Sequence, residues 1–211
     1  MAERSSQIPI FELGLVLLPT EQIPLHIFEE RYKAMIRHCL DEDASFGIVL
    51  RTDAGVREVG CTAIVEEVLE EFEDGRMNIL VEGDLRFRVT ARLEGPEFPL
   101  AEIEQLDDAE PDQAADAGAA MEAFERLLEA VGSDAELGEE AEEAFEIAAR
   151  VEIPVEAKQS LLETDSETAR LEMLSEILEG LRKQVTRSRE VAERARSNGH
   201  GPISGLGPTE R

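Results

Sequence analysis

The first part of the chain is strongly apolar, but proline interrupts it at short intervals. Residues 8–32 read IPIFELGLVLLPTEQIPLHIFEERY, with prolines at positions 9, 19 and 24. Proline has no backbone N–H to donate, so it occurs at strand ends and edges and not inside long helices. A membrane-spanning helix needs about 20 continuous apolar residues. The pattern therefore predicts short strands, IPIF and LGLVLL among them, and no membrane span.

The hydrophobic period changes within PLHIFEERYKAMIRHCL, at residues 24–40. Apolar side chains recur there every three or four residues, from Phe28 and Tyr32 to Cys39 or Leu40. This spacing places them on one face of an amphipathic helix. We therefore predict a helix here, with Cys39 in the core.

Short apolar runs separated by turn residues follow, up to about residue 106. SFGIVL predicts a strand, and the Asp74-Gly75 pair predicts a hairpin turn between CTAIVEEVLEEF and RMNILVEG. Gly83-Asp84 and Gly95-Pro96 predict two further reversals, into LRFRVTARL and EFPLAEIEQL. We expect an antiparallel meander that is bulged or barrel-like, because the alternation is imperfect.

Alanine, glutamate and leucine dominate from residue 107 onwards and predict helices at about 113–131, 139–151, 154–163 and 166–195. Thr164 and Glu167 have the spacing of a capping box for the last helix. We divide the chain into a β-rich subdomain at 1–106, a helical subdomain at 107–196 and a disordered tail at 197–211. The tail prediction rests on its glycine, proline and serine content.

An apolar stripe runs along the last predicted helix, at Leu171, Leu174, Leu178, Leu181 and Val185. It fits packing within the domain, and it also fits an intermolecular coiled coil. Charge is uneven nearby, since residues 101–146 are strongly acidic and residues 182–196 are basic. We interpret both as solvated helix faces that attract one another.

The overall charge limits the partners that we expect. The formal net charge of −27 repels phosphate backbones and anionic lipid, which argues against nucleic acid and membrane partners. The N-terminus lacks the basic and apolar regions of a secretion signal. Cys39 and Cys61 are the only cysteines and have no metal-ligand or redox spacing. We expect a cytoplasmic protein with reduced thiols.

The sequence contains no motif that indicates catalysis. It has no G-x-x-x-x-G-K-[ST] phosphate loop, no G-x-S-x-G nucleophile motif and no H-E-x-x-H metal motif. His26 lies in a tight apolar stretch, where we expect it to be packed or hydrogen-bonded. We therefore predict no catalytic, cofactor-binding or metal-binding residues, and no cofactor.

Residues 24–32, PLHIFEERY, resemble a motif of the Lon substrate-binding domain, the N-terminal part of the ATP-dependent Lon protease. That family continues through P-L-x-I-F-E-x-R-Y into a helix. The chain departs from it slightly at Leu18-Pro19, where phenylalanine-proline is common, and at Thr20, where glycine is frequent. The resemblance implies structural roles for Pro24, Phe28, Glu29, Arg31 and Tyr32.

Later segments are similar to the same family in the same order. Residues 83–89, GDLRFRV, resemble its G-x-x-R-F-x-V strand, and Asp74-Gly75-Arg76 resembles its hairpin. Residues 157–163, AKQSLLE, followed by Arg170-Leu171, match its K-Q-x-L-L-E…R-L segment. The resemblance covers roughly residues 8–185 and implies structural roles for Gly75, Gly83, Arg86 and Phe87.

The resemblance implies an α+β fold, with a β-rich pseudo-barrel that carries one helix, followed by a helical bundle that ends in a long helix. In this fold we expect Phe28 and Tyr32 to attach the first helix to the barrel. We expect Glu29 and Arg31 to form a partly buried pair. On that premise Arg31→Ala lowers the melting temperature by several degrees, because a buried carboxylate loses its partner.

The resemblance also implies a function. In Lon this region helps to capture unfolded or tagged proteins, and hydrolysis belongs to separate ATPase and protease domains. We therefore expect a free-standing, non-catalytic module that binds unfolded or tagged protein segments and works with a protease or chaperone. We expect its groove between barrel and bundle, with Phe72 and Phe98 as candidate contacts. The alternatives are a scaffold that assembles through its C-terminal helix and, less favoured, a stand-alone hydrolase.

Overall fold

The computed structural model describes residues 6–108, 116–133 and 143–198. The strands in these ranges are Ser6–Leu13 (β1), Gln22–Ile27 (β2), Phe46–Thr52 (β3), Gly55–Glu71 (β4), Met77–Leu93 (β5) and Leu100–Gln105 (β6). The helices there are Glu30–Glu42 (α1), Gly118–Val131 (α2), Ala144–Ala148 (α3), Val155–Glu163 (α4) and Glu167–Asn198 (α5). This order of elements confirms the predicted α+β class, with a β-rich part before a helical bundle.

The strands form one sheet that closes on itself. Their order is β2-β5-β4-β3-β1-β6, and β6 pairs a second time with β5. That pairing joins β5, β4, β3, β1 and β6 into a ring, which has no free edge, and leaves β2 attached outside it. The predicted barrel-like sheet is confirmed. The predicted antiparallel meander is confirmed for β3, β4, β5 and β6, each of which pairs with the next. Strand β1, which precedes the meander, pairs with β3 in parallel, from Ile10 opposite Gly47 to Leu13 opposite Leu50.

The interior of the ring is small and filled by one aromatic side chain. Phe87 is fully buried there, in a cluster with aliphatic side chains from β1, β3, β5 and β6. A Cβ atom added at Gly47 would lie 2.6 Å from Phe87 Cζ, and one added at Gly60 would lie 2.8 Å from the same atom. The two glycines therefore leave the space that the ring of Phe87 occupies.

The long strands β4 and β5 extend beyond the ring into a second, open sheet. We call β2, residues 64–71 of β4 and residues 77–82 of β5 the projecting sheet. Helix α1 covers one of its faces, because the buried side chains of β2 and β5 belong to the same cluster as Tyr32, Met35, Ile36 and Cys39. The ring of Tyr32 lies 4.0 Å, centroid to centroid, from that of Phe11 on β1.

The start of the first helix differs from the prediction. Residues 22–27 form strand β2, and α1 begins only at Glu30. Burial alternates along β2, with Leu25 and Ile27 buried and Pro24 and His26 exposed, which is the period of a strand. Pro24 is tolerated because, within the described ranges, β2 pairs with β5 alone and so lies at an edge.

The segment between β1 and β2 is buried without being a strand, contrary to the prediction for LGLVLL. Strand β1 ends at Leu13, and Val16, Leu17 and Leu18 are buried in the main core. Thr20 then adopts a φ of +65°, a left-handed conformation that a β-branched residue rarely takes. This is the position at which glycine is frequent in the family that the sequence resembles.

Gly83 is the point at which this segment crosses β5. The N–H of Thr20 donates to the carbonyl of Gly83 at 2.8 Å, and the N–H of Gly83 donates to the carbonyl of Glu21 at 2.9 Å. A Cβ atom at Gly83 would lie 2.1 Å from the carbonyl oxygen of Leu18. The predicted reversal at Gly83-Asp84 is therefore wrong, since β5 runs straight through, and the glycine serves a close backbone approach.

Two of the four helices in the helical part are shorter than predicted, and the other two have nearly the predicted bounds. Helix α2 begins at Gly118, and α3 covers only Ala144–Ala148, because residues 149–151 form turns. The predicted residues 113–115 and 139–142 lie outside the described ranges. The first turn of α5 uses Ser166, whose Oγ accepts from the N–H of Ala169 at 3.3 Å. The predicted Thr164 cap is wrong, since its hydroxyl donates to the carbonyl of Ser160.

The apolar stripe of α5 packs within the chain. Leu171, Leu174 and Leu178 are buried in the main core, and Leu181 and Val185 pack against it. Helix α5 reaches Asn198, so residues 197–198 of the predicted tail are helical, and residues 199–211 lie outside the described ranges. The same core includes side chains from β1–β5 and α1–α5. The proposed subdomain boundary at 106/107 stays a prediction.

Candidate functional site

An exposed apolar surface lies on the face of the projecting sheet opposite α1. It consists of the exposed Pro24, His26, Phe28 and Leu69 and the half-buried Phe72 and Asn78, which together we call the aromatic patch. Phe28 and Leu69 are 60% and 50% exposed. The strand register produces the patch, because His26 pairs with Asn78 on β5, and Asn78 pairs with Glu70 on β4. Cross-strand partners share one face of a sheet.

The rings of the aromatic patch are ordered by contacts with one another. The ring of His26 stacks on Phe28 at 5.9 Å between centroids and meets the edge of Phe72 at 6.2 Å. Its Nδ1 donates to Oδ1 of Asn78 at 2.6 Å, as expected for a hydrogen-bonded histidine. The guanidinium of Arg76 lies 5.0 Å from the centroid of Phe72. The patch is thus preorganised for contact with another apolar group.

A groove runs along the patch between β2 and β4. Its volume is about 480 Å³, and its lining consists of Pro24, Leu25, His26, Leu69, Glu70 and Asn78. That volume is within the range of pockets that accept a few side chains. The surroundings are acidic, since residues 64–82 contain seven acidic residues and one basic residue. The groove therefore combines an apolar floor with a negative rim.

The structure separates the two predicted contact residues. Phe72 belongs to the aromatic patch, next to the turn in which Gly75 has a φ of +77°. Phe98 is half-buried between β5 and β6, where its ring lies 5.4 Å from that of His38. It lines a different groove of about 290 Å³, together with Arg31. Phe72 is therefore the better candidate contact.

Two structural roles expected near the start of α1 are wrong. Phe28 does not attach the helix to the barrel, because its side chain is mostly exposed, whereas Tyr32 is buried. Glu29 and Arg31 do pair, at 3.0 Å between Oε2 and Nη2, but their side chains are 44% and 50% exposed. The sequence motif that suggested these roles spans the end of a strand and the start of a helix. The change of element between Phe28 and Tyr32 leaves Phe28 exposed and Tyr32 buried.

The exposure of this pair changes the effect expected of Arg31→Ala. The variant loses a surface ion pair and a stacking contact of 4.4 Å over Tyr32. Together these contribute about 1 kcal/mol to the free energy of unfolding. We expect the melting temperature to fall by about 3 °C or less, measured by differential scanning calorimetry. A larger fall would show that Glu29 depends on Arg31 more than its exposure indicates.

Two buried arginine side chains lie at the junction between barrel and bundle, where the sequence predicts a groove; the groove itself stays a prediction. The side chain of Arg86 on β5 is 3% exposed. Its Nη1 donates to the carbonyls of Leu162 and Thr164 at 3.0 and 2.9 Å, and its Nη2 pairs with Asp108. Arg86 therefore fastens the end of α4 to the barrel.

A second buried arginine completes this junction. Arg170 on α5 is 1% exposed, lies 4.6 Å above the ring of Phe145 and pairs with both Asp108 and Glu167. Burial by itself raises the pKa of Asp108, but the hydrogen bonds and charges of Arg170 and Arg86 outweigh it and hold that pKa below its usual value. We call Arg86, Asp108, Glu167 and Arg170 the arginine cluster.

Sequence reasoning missed most of the arginine cluster. Arg86 was assigned a structural role, but Asp108 and Glu167 were not connected with it. One signal was available, because Arg170 precedes Leu174 by four residues and so continues the buried stripe of α5. A second junction contact, also missed, joins the carboxylate of Glu21 to Lys158, with side chains 9% and 13% exposed.

The described residues contain no evident reactive centre. Burial raises the pKa of the Cys39 thiol to about 11 and raises that of Cys61 as well, so both are neutral. In the part of the chain that the structure describes, no three His, Cys, Asp or Glu side chains are placed to hold a metal ion. None of the helices described is both long and apolar enough to cross a membrane.

Two solved structures share this fold. The Lon N-terminal domain protein from Xanthomonas campestris matches with a TM-score of 0.61 and 26% identity, over 80% of this chain and 96% of its own. The N-terminal domain of Lon protease from the Mycobacterium avium complex matches with a TM-score of 0.62 and 18% identity, over 82% of this chain and 98% of its own.

Sequence comparison agrees with the structural match. Lon protease of Paraburkholderia phytofirmans is 26% identical over 200 residues, and that of Escherichia coli is 28% identical over 198 residues. The chain spans about a quarter of the length of these relatives. A family model, described as the ATP-dependent protease La (LON) substrate-binding domain, matches residues 7–180. The chain therefore belongs to the LON substrate-binding domain family.

Proposed function

We propose that this chain binds unfolded protein segments on the aromatic patch, does not cut them, and delivers them to a separate protease or chaperone. The observation that carries the proposal is the position of Phe28 and Leu69, which stay exposed beside the ordered rings of His26 and Phe72. Large apolar side chains clustered at the surface are typical of interaction sites. The family description, a substrate-binding domain, supports the same function.

The size of the patch predicts weak and reversible binding. Complete burial of a phenylalanine or leucine side chain contributes roughly 1.5–3 kcal/mol, and about half of each is already buried here. Three such side chains contribute at most about 4.5 kcal/mol, so after the cost of ordering a flexible ligand we expect dissociation constants of roughly 1 mM or weaker. A module with this affinity releases its client, which suits delivery better than storage.

Fluorescence anisotropy with an unfolded client tests the proposal. We expect α-lactalbumin that is reduced and alkylated with iodoacetamide, which adds no charge, to bind, and native α-lactalbumin not to bind. Phe28→Ser combined with Leu69→Ser should weaken binding at least about fivefold, because two apolar contacts are lost. The melting temperature should stay unchanged within about 2 °C, since both side chains are largely exposed.

Val191→Ser is the matched control. Val191 is 58% exposed, nearly as much as Phe28, but lies on α5. Equal binding by the double variant and the wild type would contradict the proposed site, and equal binding of folded and unfolded client would contradict the function. Release of acid-soluble peptides from casein, with or without ATP, would contradict the non-catalytic part of the proposal.

The C-terminal half of α5 favours a second candidate function, a scaffold that assembles with another copy. A groove of about 520 Å³ runs along its surface at Leu181, Val185 and Ala192. Basic residues surround it, whereas α2 carries exposed carboxylates at Glu125 and Glu129 that another copy would offer. Light scattering distinguishes the candidates: a dimer that Val185→Asp converts to a monomer supports the scaffold, and a monomer in both cases excludes it.

A further inference from the structure

The projecting sheet has two strand edges that are not paired within the described part of the chain. Strand β2 pairs with β5 on one side. Strand β4 pairs with β5 over residues 64–71, with bulges between Val65 and Glu67 and between Val68 and Glu70, but its pairing with β3 ends at Ala63. We call residues 64–71 the β4 edge. Along such an edge, alternate N–H and C=O groups point away from the sheet and are available to another strand.

The β4 edge is better suited to accept a strand than the edge of β2. Pro24 lies in the middle of β2 and lacks an N–H. The β4 edge contains no proline. Its residues are exposed apart from the half-buried Val65, so the described elements leave it open to solvent.

The side chains of the β4 edge combine apolar contact with negative charge. Ile64, Val68 and Leu69 are 39%, 37% and 50% exposed. The same segment carries four exposed carboxylates, at Glu66, Glu67, Glu70 and Glu71. Glu71 faces Arg37 at 3.6 Å, whereas Glu66 and Glu67 take part in none of the ion pairs found among the described residues. The edge therefore carries negative charge that a basic ligand would neutralise.

We propose that the β4 edge binds an extended polypeptide segment of alternating apolar and basic residues as an added antiparallel or parallel strand. This inference rests on the proposed function and specifies its ligand and its binding mode. Main-chain hydrogen bonds hold the added strand, and its lysine or arginine side chains pair with Glu66 and Glu67. Its apolar side chains point to the other face of the sheet, where Val68 lies opposite Ile79.

The same charges disfavour other occupants. A second copy that paired edge to edge would place four carboxylates against four more, and acidic segments would meet the same repulsion. Charged side chains on an open edge commonly protect a protein from pairing with itself. On the β4 edge the carboxylates favour a basic ligand, and the unpaired backbone groups favour an extended one.

Three matched peptides test the proposal by anisotropy. The first is an eight-residue peptide that alternates isoleucine with lysine, and the second replaces every lysine by glutamate. The third is the lysine peptide with alternate backbone amides N-methylated, which removes donors but keeps the side chains. We expect the first peptide to bind at least tenfold more tightly than either of the others. Its affinity should fall as salt is raised from 50 to 300 mM, because the carboxylates are exposed.

Hydrogen exchange and charge-neutralising variants locate the site. The lysine peptide should slow amide exchange in residues 64–71. Glu66→Gln combined with Glu67→Gln should weaken its binding about fivefold, since each exposed ion pair contributes little. The control is Glu125→Gln combined with Glu129→Gln, which removes two exposed carboxylates from α2 and should leave binding unchanged.

The outcomes separate this inference from the function on which it rests. If unfolded α-lactalbumin binds but the lysine peptide does not, the inference alone is overturned. The same holds if unfolded α-lactalbumin binds and the glutamate and lysine peptides bind equally. Protection confined to residues 22–28 would do the same, because it would place the ligand on β2. Failure of unfolded α-lactalbumin to bind would overturn the proposed function and this inference together.

Discussion

Arg170→Ala is expected to lower the free energy of unfolding by about 3 kcal/mol, the lower end of the usual cost of removing one partner from a buried ion pair, because Asp108 is 43% exposed and keeps Arg86 as a partner. Arg170 is 1% exposed, and its removal leaves Glu167 and Asp108 without their main cation and Phe145 without its stacking partner. For a chain of this length the melting temperature should fall by about 10 °C. Urea titration measures the free energy of unfolding and thermal unfolding measures the melting temperature, both followed by circular dichroism.

Arg126→Ala is the control for this prediction. Arg126 also contacts two carboxylates, Glu122 and Glu179, but its side chain is 46% exposed. We expect the free energy of unfolding to change by less than about 1 kcal/mol. Similar losses in both variants would mean that burial does not distinguish the arginine cluster from a surface network.

Gly83→Ala is expected to lower the free energy of unfolding by about 3 kcal/mol, the upper end of the usual cost of overpacking. The added Cβ atom would lie 2.1 Å from the carbonyl oxygen of Leu18, which is backbone and cannot rotate away. Relief requires the crossing segment to move, and this breaks the hydrogen bonds that Gly83 makes with Thr20 and Glu21. Chemical denaturation measures the loss.

Gly180→Ala makes the same chemical change where there is room for it. Gly180 lies within α5, and an added Cβ atom there meets nothing within 4 Å. Alanine is favoured over glycine in a helix by about 1 kcal/mol, so this variant should be more stable than the wild type. The two substitutions should therefore change the free energy of unfolding in opposite directions. A destabilised Gly180→Ala would show that glycine is needed there for another reason.

Local patterns predicted the elements whose contacts are close in sequence. The hairpin at Asp74-Gly75 and helices α4 and α5 follow from turn residues and hydrophobic period, and the structure contains all three. The parallel pairing of β1 with β3 was not predictable in this way. Its partners, such as Ile10 and Gly47, are separated by strand β2 and helix α1, and no local pattern records which strands meet.

Two errors arose because glycine and phenylalanine each occur in more than one structural setting. Gly83 was interpreted as a turn residue, but glycine also occurs where two backbones come close, and only the crossing segment distinguishes the two. Phe28 was assigned to the apolar face of a helix. It lies instead just past a strand of period two, in which Leu25 and Ile27 face inwards and His26 faces outwards.

The candidate site was predictable only in part, because most of its contacts join residues that are distant in sequence. Phe72 could be singled out because it lies beside a hairpin turn. The patch itself depends on His26 meeting Asn78, 52 residues away, and the arginine cluster depends on Asp108 meeting Arg170, 62 residues away. Such contacts are set by strand register and helix packing, which a single sequence does not specify.

The closure of the ring by β6 has a consequence for how the protein folds. The first residues of β1, Ser6–Pro9, pair with Leu100–Ile103, and the same short strand also seals β5. Contacts this distant in sequence form slowly, because a long loop must close before they are made. On the ribosome the N-terminal strand must wait for about a hundred residues to emerge. Until then the nascent chain exposes apolar segments. These segments resemble the ones that, in our proposal, the folded protein binds.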